Sequence, residues 1–399
     1  GCSNSITEEE ASILAIYMAE GGLTNNSVKF SNIDEEIIER ANKCLQGIFN
    51  IELSKCDSTT WGVRRKKDTD IKSINRQIFA ELTRLNINIK KMSNGNYGRV
   101  LRLQHTLPWD SIIEIANLYG ATKLIELIEK LYPVRALTNF MELMGINNKL
   151  SIEKTIPECI FQSDPVCISR FVADFWSCDG YISNIKKRGG REISITLGSE
   201  ELINGFKFLL LKFGIHSRKR LKIIKGGKHK KKTYKAWALN INMNVSNIVR
   251  FWDFCGEKII TRKRKRLKLI VDNKKRIKTN HNVDIIPAAL SSKIILTEAD
   301  KTGKAFSNSD LKLTYSRQQL KEHNISRQKL MNYSINFNNS KMTYVAQSDL
   351  YWKKIISIEP IGPQKTYDIT IDSDNHLYAT TDFITHNSNL QESLLWCIY

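Results

Sequence analysis

Two acids and one short C-terminal run stand out as residues whose types and spacing could do chemistry. Glu20-Gly21 and Asp179-Gly180 each close an apolar helical stretch, and they occupy matching places in two similar segments. Two carboxylates brought close together repel unless a divalent cation lies between them. Oxygen ligands suit Mg²⁺, and such a site activates water for in-line attack on phosphate. The other run is His386-Asn387-Ser388. The side-chain amide of Asn387 can attack its own carbonyl carbon and cut the backbone after it, and His386 can donate to that carbonyl or to the leaving amine. His376 can polarise Asn387 or shuttle a proton, and Ser388 offers a hydroxyl that accepts an acyl group.

The elements that must position these groups follow from the pattern. A helix is expected across residues 8–19, stopping at Gly21-Gly22. A short strand, a helix over 34–49 and strands at "IELSKC", "WGVRRKK" and "RVLRLQ" follow. The order then recurs: an apolar helix "DPVCISRFVADFWSCDG" (164–180), a strand, a helix, two strands around Gly226-Gly227 and a closing helix. Residues 112–145 between the copies read as helical. Ala11, Ala15 and Ala19 are spaced four apart, as are Ser169, Ala173 and Ser177. Small residues at that spacing predict two signature helices packed closely, with Glu20 beside Asp179.

The 399 residues carry a formal net charge of +20, which predicts a polyanionic partner, nucleic acid first. No apolar run approaches membrane length and no signal peptide opens the chain, so a cytoplasmic protein is expected. The eight Cys include no Cys-x-x-Cys pair, which argues against zinc and for free thiols. Residues 316–334 read as two short helices with a turn at His323-Asn324, either a helix-turn-helix that docks on DNA or a plain connector. Beyond 351 the chain alternates as strands.

"ILAIYMAEG" and "VADFWSCDG" resemble the two signatures of LAGLIDADG homing endonucleases in their single-chain, two-repeat form. "KTIPECIF" before the second signature and "FCGEKI…RKRKRL" after it resemble the form carried inside inteins. The resemblance implies an α+β fold of two pseudo-symmetric αββαββα repeats over residues 1–290 (about 6–150 and 160–290), with Glu20 and Asp179 as metal ligands and catalytic acids. It also implies a saddle of strands on double-stranded DNA. Phosphate contacts would come from Arg64, Arg65, Lys66 and Arg99 on one arm. Arg218, Lys219, Arg220, Lys228, Lys230, Lys231, Lys232 and Lys235 would supply the other. Asp174 departs from the pattern, which places a small residue at the helix contact. A buried, unpaired carboxylate is costly there and predicts loosened packing.

The tail "TYDITIDSDNHLYATTDFITHN" resembles the C-terminal splicing region of inteins, a piece of the β-rich Hint domain. By that resemblance 351–387 is the splicing region, Asp368 assists the central steps with His376 and His386, and 388–399 begins the downstream host. Residues 291–350 are then a helical linker or a DNA-recognition region. An N-terminal splicing half, supplied in cis or in trans, would be needed. "SNLQESLLWCIY" fits a P-loop ATPase host such as a phage terminase or a helicase. Two alternatives stay open: a free-standing or maturase-like endonuclease, and a DNA-binding protein without catalysis.

Overall fold

The computed structural model describes residues 6–24, 27–67, 69–85, 113, 116–146, 149–184, 191–226, 232–273, 285–305, 308, 310–348, 350, 352, 357–360, 362–363, 365, 377–379 and 384–386. The chain divides into two compact units, Gly1–Ile277 and Lys278–Tyr399, so the division falls at Ile277.

The first unit begins with α1 (Glu8–Glu20). Thr7 and Glu10 form a reciprocal capping box, and three glutamates in the first turn complement the helix dipole. Residues Ala11–Met18 are all buried, as expected of a helix apolar on every side. Next come β1 (Gly21–Thr24), β2 (Ser27–Ser31), α2 (Glu35–Phe49), β3 (Ile51–Lys55) and β4 (Thr60–Arg65). The helices α3 (Ile71–Arg84), α4 (Thr122–Leu131) and α5 (Pro133–Leu143) follow. A side cluster around Ile78, Leu82, Leu124 and Ile128 joins α3 to α4.

After the short α6 (Glu158–Gln162), the second copy runs α7 (Pro165–Cys178), β5 (Gly180–Ile182), β6 (Ile193–Leu197), α8 (Glu200–Lys212), β7 (Ser217–Gly226), β8 (Lys232–Ile241), α9 (Val245–Cys255) and α10 (Thr261–Asp272). The two sheets repeat one antiparallel topology, β1-β2-β4-β3 and β5-β6-β8-β7. α1 packs along α7, and one continuous core takes in both helices and the inner faces of both sheets.

The stripe of small residues on α7 works differently from the expectation. Ser169 donates to the Phe254 carbonyl (2.5 Å) and Ser177 accepts from the Ile260 amide (3.0 Å), so both serve the α9–α10 segment of their own repeat. The side of α7 that reaches the first repeat carries Arg170 and Asp174, which bind Glu8 and Ser12 of α1.

Asp174 is buried as expected but is not unpaired. Ser12 donates to one oxygen at 2.6 Å, Arg40 of α2 donates to the other, and Arg170 lies 3.8 Å away. Arg40 also donates to the Lys258 carbonyl at 2.9 Å. Burial still raises the Asp174 carboxyl above its ordinary value, against the lowering by Arg40, Ser12 and Arg170. The contact between the copies therefore adds a charged node to the close packing of buried Ala11, Ala15 and Ala173.

The second unit holds β9 (Ile285–Ile286), α11 (Ala288–Thr302), α12 (Arg317–Glu322), β10 (Ile325–Ser326), α13 (Arg327–Phe337), α14 (Ser340–Gln347), β11 (Leu377–Ala379) and β12 (Ile384–His386). β9 pairs antiparallel with β10. β11 pairs antiparallel with β12, Leu377 facing His386 across the ladder. No helix among the described residues is long and apolar enough to cross a membrane.

Candidate active site

Both acids stand where a signature helix must stop. Gly21 and Gly180 follow them, and each passes so close to its own helix that no side chain fits. A Cβ on Gly21 would lie 2.4 Å from the Tyr17 ring and 2.6 Å from the Tyr17 carbonyl; on Gly180 it would lie 2.3 and 2.5 Å from the same atoms of Trp176. The glycine lets the chain turn directly from helix into strand, which fixes the acid at the last helical turn.

Glu20 accepts a 2.7 Å hydrogen bond from the Asn32 amide, and Asn32 in turn takes the Asp34 N–H at 2.7 Å. Burial, and then the charge of Asp179, push the Glu20 carboxyl up to about 7. Burial pushes Asp179 up to about 6, against the lowering by Lys263 and Lys154. The charge of Asp179 thus reaches Glu20.

Two lysines complete the site. Lys263 of α10 donates to the carbonyls of Trp176 (3.0 Å) and Cys178 (2.9 Å), at the end of α7. Lys154 donates to the Met18 carbonyl (2.7 Å), at the end of α1. Each repeat therefore has a cation on the last carbonyls of its signature helix, where helix dipoles favour one. Burial lowers both ammonium groups, Lys263 to about 8.

The donor set fits a divalent cation. Both acids offer hard oxygen ligands at the ends of the two packed helices, Glu20 half-buried and Asp179 exposed, and the charge of Asp179 acts on Glu20. Among the described residues no third His, Cys, Asp or Glu side chain joins a ligand cluster. Glu20 and Asp179 are the residues that would hold such an ion.

The remaining expected residues divide by strand register, since cross-strand pairs share a face. Arg218 pairs with Asn240 and Arg220 with Ala238, opposite the core-facing Leu239 and Ile241. Arg64 pairs with Glu52 on the equivalent face of the first sheet and forms a 3.0 Å ion pair with it. Lys219 lies on the other face, where it binds Glu200 and Asn204 of α8 (both 2.8 Å) and rests over the Trp237 ring. Lys235 shares that register side, opposite Ile223. Arg65 pairs with buried Ile51 and donates to the Leu131 carbonyl. Lys66 follows β4, and Lys232 enters β8 opposite Gly226. Arg99, Lys228, Lys230, Lys231, Asp368, His376, Asn387 and Ser388 lie outside the described residues, as does the side chain of His386.

Sequence reasoning missed Lys154, Lys263 and Asn32 at the site, and Lys29 and Lys222 on the outer sheet faces. Lys29 pairs with Gly62 and Lys222 with Ala236. Alternation along the strands is the signal that marks the last two.

Residues 167–267 match the family described as the LAGLIDADG-like domain. The chain is 26% identical over 267 residues to the replicative DNA helicase DnaB of a Synechocystis species, covering 66% of this chain and 30% of the helicase. It is 27% identical over 265 residues to the replicative DNA helicase DnaB of Rhodothermus marinus, covering 64% and 27%. The chain thus spans less than a third of the length of these curated relatives. The solved structure of I-DmoI in complex with DNA and Mn is 11% identical, with a TM-score of 0.29, over 62% of this chain and 95% of that one. Residues 167–267, which contain Asp179, Lys263 and the strands β5–β8, are therefore LAGLIDADG-like.

Proposed function

We propose that the first unit is a site-specific endonuclease for double-stranded DNA that uses Mg²⁺, carried inside a protein-splicing element of a helicase gene. The observation that supports the nuclease reading is that Glu20 and Asp179 stand at the ends of two packed helices, with the charge of Asp179 acting on Glu20. Glu20 and Asp179 would hold the divalent ion, which would supply Lewis-acid charge for hydrolysis of a phosphodiester. Asn32 orients Glu20. Lys263 and Lys154 hold positive charge beside the acids and favour their ionised forms. The outer faces of the two sheets, with Arg64, Lys29, Arg218, Arg220 and Lys222, hold the duplex backbone. Their contacts give affinity that falls with salt.

The splicing reading is supported by two observations. A nuclease-like chain resembles, across about two-thirds of its own length, helicases of which it spans less than a third; an element inserted in a helicase gene has that relation to its host. In addition, His386 ends an antiparallel hairpin. In the splicing reaction, Ser388 takes the upstream acyl group from an N-terminal half supplied in cis or in trans. The Asn387 amide nitrogen then attacks its own carbonyl carbon. The peptide bond to Ser388 breaks, a succinimide forms, and His386 gives a proton to the departing amine. Asp368 and His376 assist these steps.

The nuclease reading is tested by incubating the full chain and Mg²⁺ with a plasmid carrying the uninterrupted helicase gene. One double-strand cut at the insertion point is expected, and its loss in Glu20→Gln/Asp179→Asn. Full cleavage by that double variant would overturn the assignment. For the splicing motif, mass spectrometry should find release of the peptide after Asn387, abolished in Asn387→Ala. Release at the same bond in Asn387→Ala would refute it.

A further inference from the structure

Residues 285–348 build a core of their own, from Ile286, Ile295, Leu313, Leu320, Ile325 and Leu330 to Tyr333, Phe337 and Met342. Within it, α12 opens with a capping box. The Ser316 hydroxyl accepts the Gln319 N–H at 3.2 Å, and the Gln319 side chain accepts the Ser316 N–H at 2.8 Å. His323 and Asn324 then turn the chain, and Asn324 fixes the turn by accepting the Ala288 N–H at 2.9 Å. Ile325 plugs the core, and Ser326 caps the start of α13 by accepting from Lys329 at 3.2 Å. α11 packs on both α12 and α13. Two short helices joined by a tight turn and backed by a third helix make a helix-turn-helix.

The face of α13 turned away from this core has a definite chemistry. Leu330, Tyr333, Ser334 and Phe337 are buried. On the opposite side Gln328, Asn332 and Ile335 follow at i, i+4 and i+7, with Ile335 60% exposed. The two amides are held in place: Gln328 donates to Asn332 at 3.2 Å, and Asn332 donates to the Leu311 carbonyl at 2.9 Å. Arg327 ties the start of α13 to the carbonyls of Val345, Ala346 and Ser348 at the end of α14. Residues 285–350 hold nine Lys and Arg against five Asp and Glu. A connector needs neither a core of its own nor an ordered amide stripe. A major groove offers what such a stripe binds: adenine edges for Gln and Asn, a thymine methyl for Ile, and phosphates for the surrounding cations.

We propose that residues 285–348 form a second duplex-DNA-binding site, with α13 in the major groove and Gln328, Asn332 and Ile335 at the base edges. This site reads its own short block of sequence and takes no part in cutting. It does not depend on the nuclease reading of the first unit.

The test is selection of duplexes from a random-sequence library by the full chain in Ca²⁺, followed by binding titrations on the selected duplex. Wild type should enrich a block of about four base pairs that Gln328→Ala/Asn332→Ala no longer enriches. Affinity of that variant for the selected duplex should fall about tenfold or more. Lys321→Ala should keep the block and lower the slope of affinity against salt by about one. Ile335→Ala, at an exposed position, keeps the fold and should relax preference at one base pair. Equal affinity and unchanged enrichment in both the amide variant and Ile335→Ala would overturn the inference and leave the module as a connector or a protein-binding surface. A chain that enriches the block yet cuts no DNA would support this inference and count against the nuclease reading.

Discussion

Ser12 and Asp174, on the two helices that end in the candidate catalytic acids, share a buried 2.6 Å hydrogen bond. Arg40 takes the other oxygen of Asp174, and Arg170 lies beside it while also binding Glu8 of α1. The node therefore joins α1, α2 and α7 near the middle of the helix pair. Removing one side of such a node leaves the other charges buried without compensation. Asp174→Ala is expected to destabilise the first unit by about 3–5 kcal/mol, seen as a lower urea midpoint. Asp174→Ala/Arg40→Leu should lose less than Asp174→Ala alone. A double variant at least as unstable as the single would show that the node does not act through its charges.

The acid pair predicts how stability follows pH. Folding raises Glu20 to about 7 from 4.5 and Asp179 to about 6 from 3.8. The folded chain then holds these protons more tightly than the unfolded chain. The contribution is fully present below about pH 4 and is lost as pH rises through 6 and 7. Mg²⁺ or Ca²⁺ should offset that loss, because the ion binds the same ionised carboxylates. Thermal unfolding with chelator should show a midpoint that falls from pH 5 to pH 7, with a divalent ion raising it more at pH 7 than at pH 5. Glu20→Gln should flatten the chelator curve. Equal stabilisation by the ion at both pH values would place the metal elsewhere.

Much of this was legible in the sequence, for physical reasons that differ from residue to residue. Glu20-Gly21 and Asp179-Gly180 could be found because an apolar helix that ends in acid-glycine twice is a rare local pattern. The two short helices over 316–334 could be found because the turn at His323-Asn324 interrupts an otherwise helical run. Asp174 could not be judged from its own helix, because its partners Ser12 and Arg40 come from distant parts of the chain. Lys154 and Lys263 lay inside segments that the resemblance had marked, "KTIPECIF" and "RKRKRL". Nothing local separates Lys263 from Lys265 there, since only the first reaches the end of α7. The list of cations could not be sorted by face for a simpler reason: a run such as Arg218-Lys219-Arg220 alternates faces along a strand, and composition alone ignores the pleat.

Lys263 should set the pH at which the acids ionise. Its charge lowers both Glu20 and Asp179, so its removal raises both. In Lys263→Met the acid limb of the single-turnover cleavage profile should move to higher pH. The two carbonyls it leaves bare should also cost about 1–3 kcal/mol of stability. A purely structural lysine would lower stability and leave the limb where it was.

The pleat gives the last prediction, in which neighbouring residues of one strand act differently. Arg220 and Lys222 lie on the outer face of β7, and Lys222 reaches the Thr196 hydroxyl on that same face at 3.4 Å. Lys219 directly precedes Arg220 in sequence but is held by Glu200, Asn204 and the Trp237 ring on the helix side. Arg65 is likewise held by the Leu131 carbonyl, while Arg64 faces outward. Each outward cation that meets a phosphate releases counterions. Arg220→Ala, Lys222→Ala and Arg64→Ala should each weaken duplex binding at any sequence and lower the slope of log affinity against log salt by about one. Lys219→Ala and Arg65→Ala should leave that slope unchanged and instead lower the unfolding midpoint, because they remove hydrogen bonds that tie sheet to helix. The check is a salt titration of binding to a fixed duplex in Ca²⁺, run beside thermal unfolding for all five variants. If Lys219→Ala lowers the slope as much as Arg220→Ala, the duplex does not lie on the outer faces of the sheets.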